Sequence, residues 1–328
     1  MKLLFLGTAA GTPSRKRNVA ALALQFAERR EWWLFDCGEG TQHQVLRAEL
    51  SISQVRRIFI SHLHGDHCFG LPGLMASRGL RGAPEPLDVY GPQGIEEYLE
   101  SIRRTTGTHF PYPHEVHTVT GAGVIAEDDE YLARAFLVPH AGPTLAFVVE
   151  EKIRPGRSRV EQAEALGIPP GPVYARLKRG ETIQLADGRV VQGADLVDPP
   201  RPGRKVAIVC DTSDASAILP AAQNAQVLVH EATFLAKELA LAGKEAFGHS
   251  SAAGAGRLAR QANVERLVLN HFSARYEQGQ EGEPQIKDLV AEAEQTFMPG
   301  RVTAAEDFLL VEVPRRLAEP SPGSAAQQ

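Results

Sequence analysis

The stretch FISHLHGDH, residues 59–67, places four potential metal ligands within six residues, directly after an apolar run typical of a buried strand. His62 and His64 lie two residues apart, so in an extended segment both rings can face the same side and bind one ion. Asp66 and His67 belong to the following turn and can face a second ion. Imidazole and carboxylate ligands without a thiolate favour Zn²⁺ or Mn²⁺. The stretch therefore predicts a two-metal site at the end of a strand.

Three more ligand-type residues follow other apolar runs. His140 comes after AFLVP, Asp211 ends VAIVCD, and His271 ends RLVLNH. Taken singly, an aspartate after a strand is often a helix cap, and a lone histidine is usually structural. A two-metal site needs more ligands than residues 59–67 supply. The repeated position of His140, Asp211 and His271 after strands therefore favours metal binding.

Strand and helix patterns alternate along the chain. Short apolar runs predict strands within residues 3–6, 19–26, 32–35, 57–60, 206–210, 227–230 and 266–270. Helical periodicity predicts helices within residues 42–50, 94–104, 251–262 and 285–297. This interspersed order predicts the α/β class.

Composition narrows the class of protein. With 328 residues, 43% of them hydrophobic and 23% charged, the chain can bury a large core, which excludes a disordered, collagen-like or coiled-coil chain. The net charge of -5 argues against a general nucleic-acid binder. Cys37, Cys68 and Cys210 show no CxxC spacing, so neither a disulfide framework nor a thiolate zinc site is expected. The apolar run Leu3–Leu6 is too short for a signal peptide or a membrane span, so we expect a cytoplasmic protein without membrane contact.

One segment differs from the rest of the chain. Residues from about 152 to 205 are rich in Pro and Gly and include eleven Lys or Arg against six Asp or Glu. We expect an arm, poor in core residues, inserted into a single domain of residues 1–313, with a short helix at Val160–Leu166 and a hairpin turning at Asp187-Gly188. A basic segment on an acidic body is typical of a polyanion contact, although a solvated Arg-rich loop is the alternative. Residues 314–328 have the composition of a low-complexity tail.

The spacing of HLHGDH and the later His140, Asp211 and His271 resembles the metallo-β-lactamase superfamily. Within it, the resemblance to the bacterial ribonuclease Z family covers nearly the whole chain. The stretches that carry it are LLFLGT (3–8), PSRKRN (13–18), FDCGEGTQHQ (35–44), LPGL (71–74), YGP (90–92), IPPGPVY (168–174), HEAT (230–233) and SARY (273–276). The chain has Arg15 where the family commonly has Lys, and Ala141 where Gly is usual.

The resemblance implies a metallo-β-lactamase fold, with two mixed β-sheets sandwiched between helices and a flexible inserted arm. It implies a homodimeric endoribonuclease, a hydrolase that removes the 3′ trailer of precursor tRNA and leaves a tRNA 3′-hydroxyl. One ion would be held by His62, His64 and His140 and the other by Asp66, His67 and His271, with Asp211 bridging the two ions. We expect the ions to be Zn²⁺, with Mn²⁺ as the alternative. A hydroxide between the two ions would attack phosphorus.

The resemblance also implies roles for residues outside the ligand set. Asp66 would orient the attacking water and accept its proton. His249 would protonate the leaving oxygen, with Glu231 orienting its ring, although from sequence alone His249 is better explained as part of a helix N-terminus. Candidate substrate contacts are the cations Arg15, Arg17, Lys178, Arg179 and Arg275, for which a solvated surface or a surface salt bridge is the alternative.

Two other functions fit parts of this pattern. A generic phosphodiesterase or a thioesterase could share the fold and the metals, but a thioesterase has no evident use for the basic arm or for His249. A metal-stabilised RNA-binding protein without turnover would be expected to lack Asp66 or His249, and both are present.

Overall fold

The computed structural model describes residues 1–154, 156–185, 187–241, 248–277 and 283–316. Its strands are β1 (Lys2–Gly7), β2 (Ala21–Gln25), β3 (Trp32–Phe35), β4 (Val55–Phe59), β5 (Leu87–Gly91), β6 (His114–Thr118), β7 (Gly123–Glu127), β8 (Tyr131–Pro139), β9 (Pro143–Glu151), β10 (Thr182–Gln184), β11 (Val190–Gln192), β12 (Lys205–Val209), β13 (Val227–Glu231), β14 (Arg266–Asn270), β15 (Val302–Ala304) and β16 (Leu310–Glu312). Its α-helices are α1 (Thr41–Arg47), α2 (Gly65–Cys68), α3 (Leu71–Leu80), α4 (Ile95–Thr106), α5 (Val160–Ala165), α6 (Pro172–Lys178), α7 (Leu219–Ala222), α8 (Ala236–Leu241), α9 (Ala252–Gln261) and α10 (Ile286–Thr296). No helix in these described ranges is long and apolar enough to cross a membrane.

The chain forms two compact units. Among the described residues, the larger consists of those within Met1–Glu150 and Lys205–Pro314, and the smaller of those within Glu151–Arg204 together with Arg315 and Arg316. Most of the predicted tail, residues 317–328, lies outside the described residues.

The larger unit contains two seven-stranded sheets. Their strand orders are β16-β1-β2-β3-β4-β5-β6 and β15-β14-β13-β12-β9-β8-β7, and each sheet contains both parallel and antiparallel pairs. Apolar residues from both sheets, such as Phe5 and Phe35 of the first and Phe147 and Ile208 of the second, form the core between them. Helices α1, α3 and α4 cover the outer face of the first sheet, and α9 and α10 that of the second. The predicted α/β class with two mixed sheets between helices is confirmed.

Local sequence signals explain why the helices of this unit begin where they do. The hydroxyl of Ser251 accepts a hydrogen bond from Gly254 N–H at 3.2 Å and caps α9. At the start of α10, Gln285 and Asp288 form a reciprocal capping box. The helices predicted within residues 251–262 and 285–297 are confirmed. Strand β6, HEVHT, was not predicted because its polar, half-exposed side chains give no apolar run.

The smaller unit has a core of its own. Ala163 of α5, Leu177 of α6, and Ile183 and Val191 of the β10-β11 hairpin are buried together. Both the short helix and the hairpin are confirmed, and Gly188 in the hairpin turn adopts a φ of 86°. Few residues of this Pro/Gly-rich segment are buried, in line with its composition, but those few form a small apolar cluster. Proline in the first turn of α6 starts a helix because its fixed φ suits that position and no N–H is needed there.

Parallel strand pairing determines where the ligand-type residues lie. Strands β3 and β4 are parallel, as are β12, β13 and β14. Parallel neighbours end at the same edge of a sheet, so the residues after them are brought together. Asp36, His62, Asp211 and His271 all follow the carboxyl ends of these strands.

Candidate metal centre

The first group of ligand-type atoms comes from three histidines and an aspartate. His62 Nε2 lies 3.0 Å from His64 Nδ1, and His140 Nε2 lies 3.3 Å from the same atom. Asp211 Oδ2 is 3.8 Å from His62 Nε2 and 3.7 Å from His140 Nε2. One donor atom from each of these four residues therefore surrounds a common point, as one cation requires.

The second group lies beside the first. His67 Nε2 and His271 Nε2 are 3.2 Å apart, and each is 3.4 Å from Asp66 Oδ2. Asp211 Oδ1 is 3.3 Å from His271 Nε2 and 3.5 Å from His67 Nε2. Asp211 thus presents one carboxylate oxygen to each group.

The chemistry of Asp211 fits a pair of divalent cations. Its side chain is buried, and Oδ1 accepts no hydrogen bond from the described part of the chain. A buried carboxylate oxygen without a donor is costly unless a cation or another partner satisfies it. One donor group faces Oδ1 and the other faces Oδ2, so the residues present suit two metal ions that would share Asp211.

The pKa values of His62 and Asp66 favour metal binding. Burial lowers the pKa of His62 to about 2, which leaves its ring in the neutral form that binds cations. Burial alone would raise the pKa of Asp66, but hydrogen bonds from His271 and His67 hold that pKa well below its usual range. The site therefore offers a neutral imidazole in the first group and an ionised carboxylate in the second. Burial lowers the pKa of His67, but the Asp211 and Asp36 carboxylates outweigh burial and raise it, so a cation would have to displace the proton of His67.

Most of the ring nitrogens that face away from the centre have fixed partners. Nδ1 of His62 lies 2.9 Å from the Ser61 hydroxyl, Nδ1 of His140 lies 2.8 Å from the Gly248 carbonyl, and Nδ1 of His271 lies 3.0 Å from the Thr233 hydroxyl. Such contacts orient ligand rings and direct the other nitrogen toward the metal.

Asp36 is a functional residue that the sequence pattern does not predict. Its Oδ2 lies 2.8 Å from His67 Nδ1, while Oδ1 accepts the Ser61 N–H at 2.7 Å. Asp36 adopts a φ of 57°, a conformation that non-glycine residues rarely adopt. The signal was available, because Asp36 directly follows β3 in the FDCGEG stretch, just as Asp211 follows Cys210 after β12.

Gly11 was also missed. Its backbone N–H donates to Asp66 Oδ2 at 2.8 Å, and its φ of 71° suits glycine. The loop after β1 therefore holds the carboxylate that is the predicted proton acceptor.

His249 and Glu231 are brought together at the edge of the centre. His249 Nδ1 lies 3.3 Å from Glu231 Oε1 and 3.8 Å from Asp211 Oδ2. Burial lowers the pKa of His249, but the hydrogen bond and charge of Glu231 outweigh burial and raise it above the ordinary histidine value. Donor atoms of His249, Asp211 and His271 also lie close enough together to hold an ion, so a role of His249 as a metal ligand is the alternative to its role as an acid.

The predicted substrate cations have different environments. Arg15 is exposed, and so are Lys178 and Arg179 at the end of α6 in the smaller unit. Arg275 is half-exposed, stacks on Phe234 and lies 3.5 Å from a carboxylate oxygen of Glu238, so the predicted alternative of a surface salt bridge is present.

Arg17 requires a correction. Its side chain is buried, its guanidinium pairs with Glu277 at 2.9 Å, and it donates to the Thr8 hydroxyl and the Ala305 carbonyl, each at 2.6 Å. With these partners Arg17 anchors the loop after β1 from inside the protein, and it is not placed to bind a phosphate directly.

Comparisons with known proteins agree with this geometry. The family model for the anti-Pycsar protein Apyc1 matches residues 1–115. Ribonuclease Z of Synechocystis sp. is 49% identical over 321 residues, which cover 98% of this chain and 97% of the relative. Ribonuclease Z of Brevibacillus brevis is 45% identical, over 97% of this chain and 99% of the relative.

Solved structures of other proteins have the same fold as this chain. The short form of human tRNase Z superposes with a TM-score of 0.67 at 27% identity, over 96% of this chain and 100% of the human chain. The metallo-β-lactamase fold protein YhfI of Bacillus subtilis has a TM-score of 0.64 at 18% identity, over 94% of this chain and 98% of YhfI, and supports the fold alone. Since identity near one half extends over almost the full length, the chain belongs to the ribonuclease Z family and has the metallo-β-lactamase fold.

Proposed function

We propose that this protein is a metal-dependent endoribonuclease that removes the 3′ trailer from precursor tRNA and leaves a 3′-hydroxyl on the tRNA. One observation carries the proposal. Two groups of metal donors share the Asp211 carboxylate, and the pair of His249 and Glu231 lies beside them, in a member of the ribonuclease Z family.

The donor set supports two divalent cations per chain, which we propose to be Zn²⁺, with Mn²⁺ as the alternative. His62, His64 and His140 would hold one ion, Asp66, His67 and His271 the other, and Asp211 both. When bound, the ions would lower the pKa of a water near phosphorus and neutralise charge on the phosphate oxygens. The remaining roles belong to side chains of this protein.

Asp66 is positioned to accept a proton from the attacking water. Its pKa lies well below the usual range, so the carboxylate is ionised at neutral pH. The N–H of Gly11 fixes its Oδ2 at 2.8 Å and prevents the carboxylate from rotating away. Asp66 therefore orients the water and takes its proton as oxygen bonds to phosphorus.

His249 acts on the other side of the reaction. The bond between phosphorus and O3′ of the tRNA ribose breaks, and this alkoxide-like oxygen is a poor leaving group unless it receives a proton. His249 donates that proton, while Glu231 at 3.3 Å stabilises the charged ring. The products are a tRNA with a free 3′-hydroxyl and a trailer with a 5′-phosphate.

We further propose that residues 152–205 form a tRNA-binding arm inserted into the catalytic domain, and that the protein is a cytoplasmic homodimer. The local excess of positive charge and the exposed cations Lys178 and Arg179 support the first proposal. Membership of the ribonuclease Z family supports the proposals of a homodimer and of a cytoplasmic location.

Product mapping tests the proposed function. Purified protein with added Zn²⁺ or Mn²⁺ is incubated with a precursor tRNA labelled at its 5′ end and carrying a 3′ trailer. We expect one cut after the discriminator base, with a periodate-sensitive 3′ end on the tRNA product. A generic phosphodiesterase would instead cut the precursor at no defined position, which would refute tRNA processing.

Excision of the arm tests its role in binding. The backbones of Arg154 and Arg201 pair through two hydrogen bonds, so replacing Ser158–Pro200 by a short Gly/Ser linker leaves this pair in place. We expect metal content and bis-aryl phosphate hydrolysis to stay nearly unchanged. Cleavage of precursor tRNA should fall at least about tenfold in kcat/KM, mainly through weaker binding, because phosphate contacts supply affinity and position.

A smaller change has a matched control. Replacing Lys178 and Arg179 by glutamine should reduce the salt dependence of tRNA binding, with a change of about 1 to 2 in the slope of log K against log salt. Arg103 and Arg104 form a similar exposed pair near the end of α4, and their replacement should have little effect.

Equal losses on RNA and on the small diester after arm excision would mean that the arm is needed for folding or dimerisation.

A further inference from the structure

Thr233 lies between the second donor group and the His249–Glu231 pair. Its side chain is buried, and its hydroxyl oxygen lies 3.0 Å from His271 Nδ1 and 2.5 Å from Glu231 Oε2. A threonine hydroxyl has one proton to donate and can accept in return. The proton goes to the Glu231 carboxylate, because that contact is the shorter and is charge-assisted, so the hydroxyl accepts from His271 Nδ1–H.

The opposite oxygen of Glu231 completes the connection. Oε1 accepts from the backbone of Thr212 at 2.7 Å and of Ser250 at 3.1 Å, and it lies 3.3 Å from His249 Nδ1. In the described part of the chain, Thr233 is the hydrogen-bond donor recorded for Oε2. A continuous relay therefore runs from His271 through Thr233 and Glu231 to His249.

We propose that Thr233 is a positioning residue that couples the orientation of the metal ligand His271 to that of His249. Its oxygen fixes His271 as the Nδ1–H tautomer, which leaves the Nε2 lone pair for a cation in the second group. Its proton holds the Glu231 carboxylate in the rotamer that directs Oε1 to His249.

The backbone of His271 gives a second reason why this support is needed. His271 adopts a φ of 59°, a strained conformation for a residue with a side chain. Such a conformation persists only where the surroundings fix it, and the Thr233 hydroxyl at 3.0 Å from Nδ1 fixes the ring of this residue.

The test uses Thr233→Val, which keeps the shape and removes the hydroxyl, and Thr233→Ser, which keeps the hydroxyl. Metal-free protein is titrated with Zn²⁺ against a chromophoric chelator. We expect Thr233→Val to weaken the binding of one of the two ions by about 10- to 100-fold, the usual effect of losing a partner of a ligating histidine. Thr233→Ser should stay within about threefold of the original protein. Thr233→Cys, a weak donor of similar size, should lie between them and serves if the valine variant does not fold.

A second measurement separates coupling from simple ligand support, and it rests on the proposed function. At saturating metal, Thr233→Val should lose more activity on RNA than on a nitrophenyl diester, because only RNA needs the proton from His249. Unchanged Zn²⁺ affinity in Thr233→Val, or serine and valine variants that are equally impaired, would overturn the proposal. The Zn²⁺ titration requires no RNA cleavage, so its outcome stands apart from that of the function test.

Discussion

Replacing Asp66 by alanine should abolish detectable cleavage of precursor tRNA, a loss of about 10⁴-fold or more. Two effects combine, because the variant loses the proton acceptor, which typically contributes up to about 10⁴-fold, and a donor to the second ion. Elemental analysis should find close to two transition-metal ions per chain in the original protein and fewer in the variant. Reconstitution with excess Zn²⁺ should not restore the rate.

Two controls make the Asp66 result specific. Asp129 is exposed on the loop between β7 and β8, and its replacement by alanine should change neither rate nor metal content. Asp66→Asn keeps the size of the side chain but cannot take up the proton, so it should remain inactive even where metal is retained. An asparagine variant with both ions and near-normal cleavage would refute the assignment of Asp66, and a reproducible metal content near zero in folded, reconstituted protein would refute the two-metal centre.

Replacing His249 by alanine should lower the rate on precursor tRNA by roughly 10²-fold or more while both metal ions stay bound. The loss should be much smaller on a substrate with a nitrophenolate leaving group, since this anion departs without a proton. The comparison of the two substrates therefore isolates the proton-donating role from any general damage to the site.

The His249 experiment also decides between two roles that the geometry permits. His249 Nδ1 lies 3.8 Å from Asp211 Oδ2, so a role as metal ligand predicts a loss of metal and equal losses on both substrates. His109 is an exposed histidine outside the site, and His109→Ala serves as the matched control without an expected effect.

The ligands within residues 62–67 could be predicted from the sequence more readily than Asp36. Residues 62–67 all lie in the segment after one strand and in the turn that follows, so their spacing alone indicates a pair of metal ions. The sequence around Asp36 gives no such indication. Its contact with His67 joins residues 31 positions apart, and it depends on the parallel pairing of β3 with β4.

Arg17 shows where a sequence pattern misleads. Three consecutive cations at residues 15–17 predict one phosphate-binding surface. In the structure, however, Arg17 is buried while Arg15 is exposed. Charge patterning indicates that a segment is basic. Only the packing of Phe272, Glu277 and Ala305 around the guanidinium decides which of its cations faces inward.

The sequence by itself determined the α/β class, most of the strands and helices that support the centre, and the identity of the seven proposed ligands. These depend on short-range periodicity and on residue chemistry, which are properties of neighbouring residues. The tertiary structure alone decided that Asp211 presents one oxygen to each donor group, and that Thr233 joins His271 to Glu231. His67 and His271 are 204 residues apart, and their nitrogens come within 3.2 Å only because the two sheets pack face to face through their shared core. That packing is a cooperative result of the whole chain, so no local stretch of sequence can encode it.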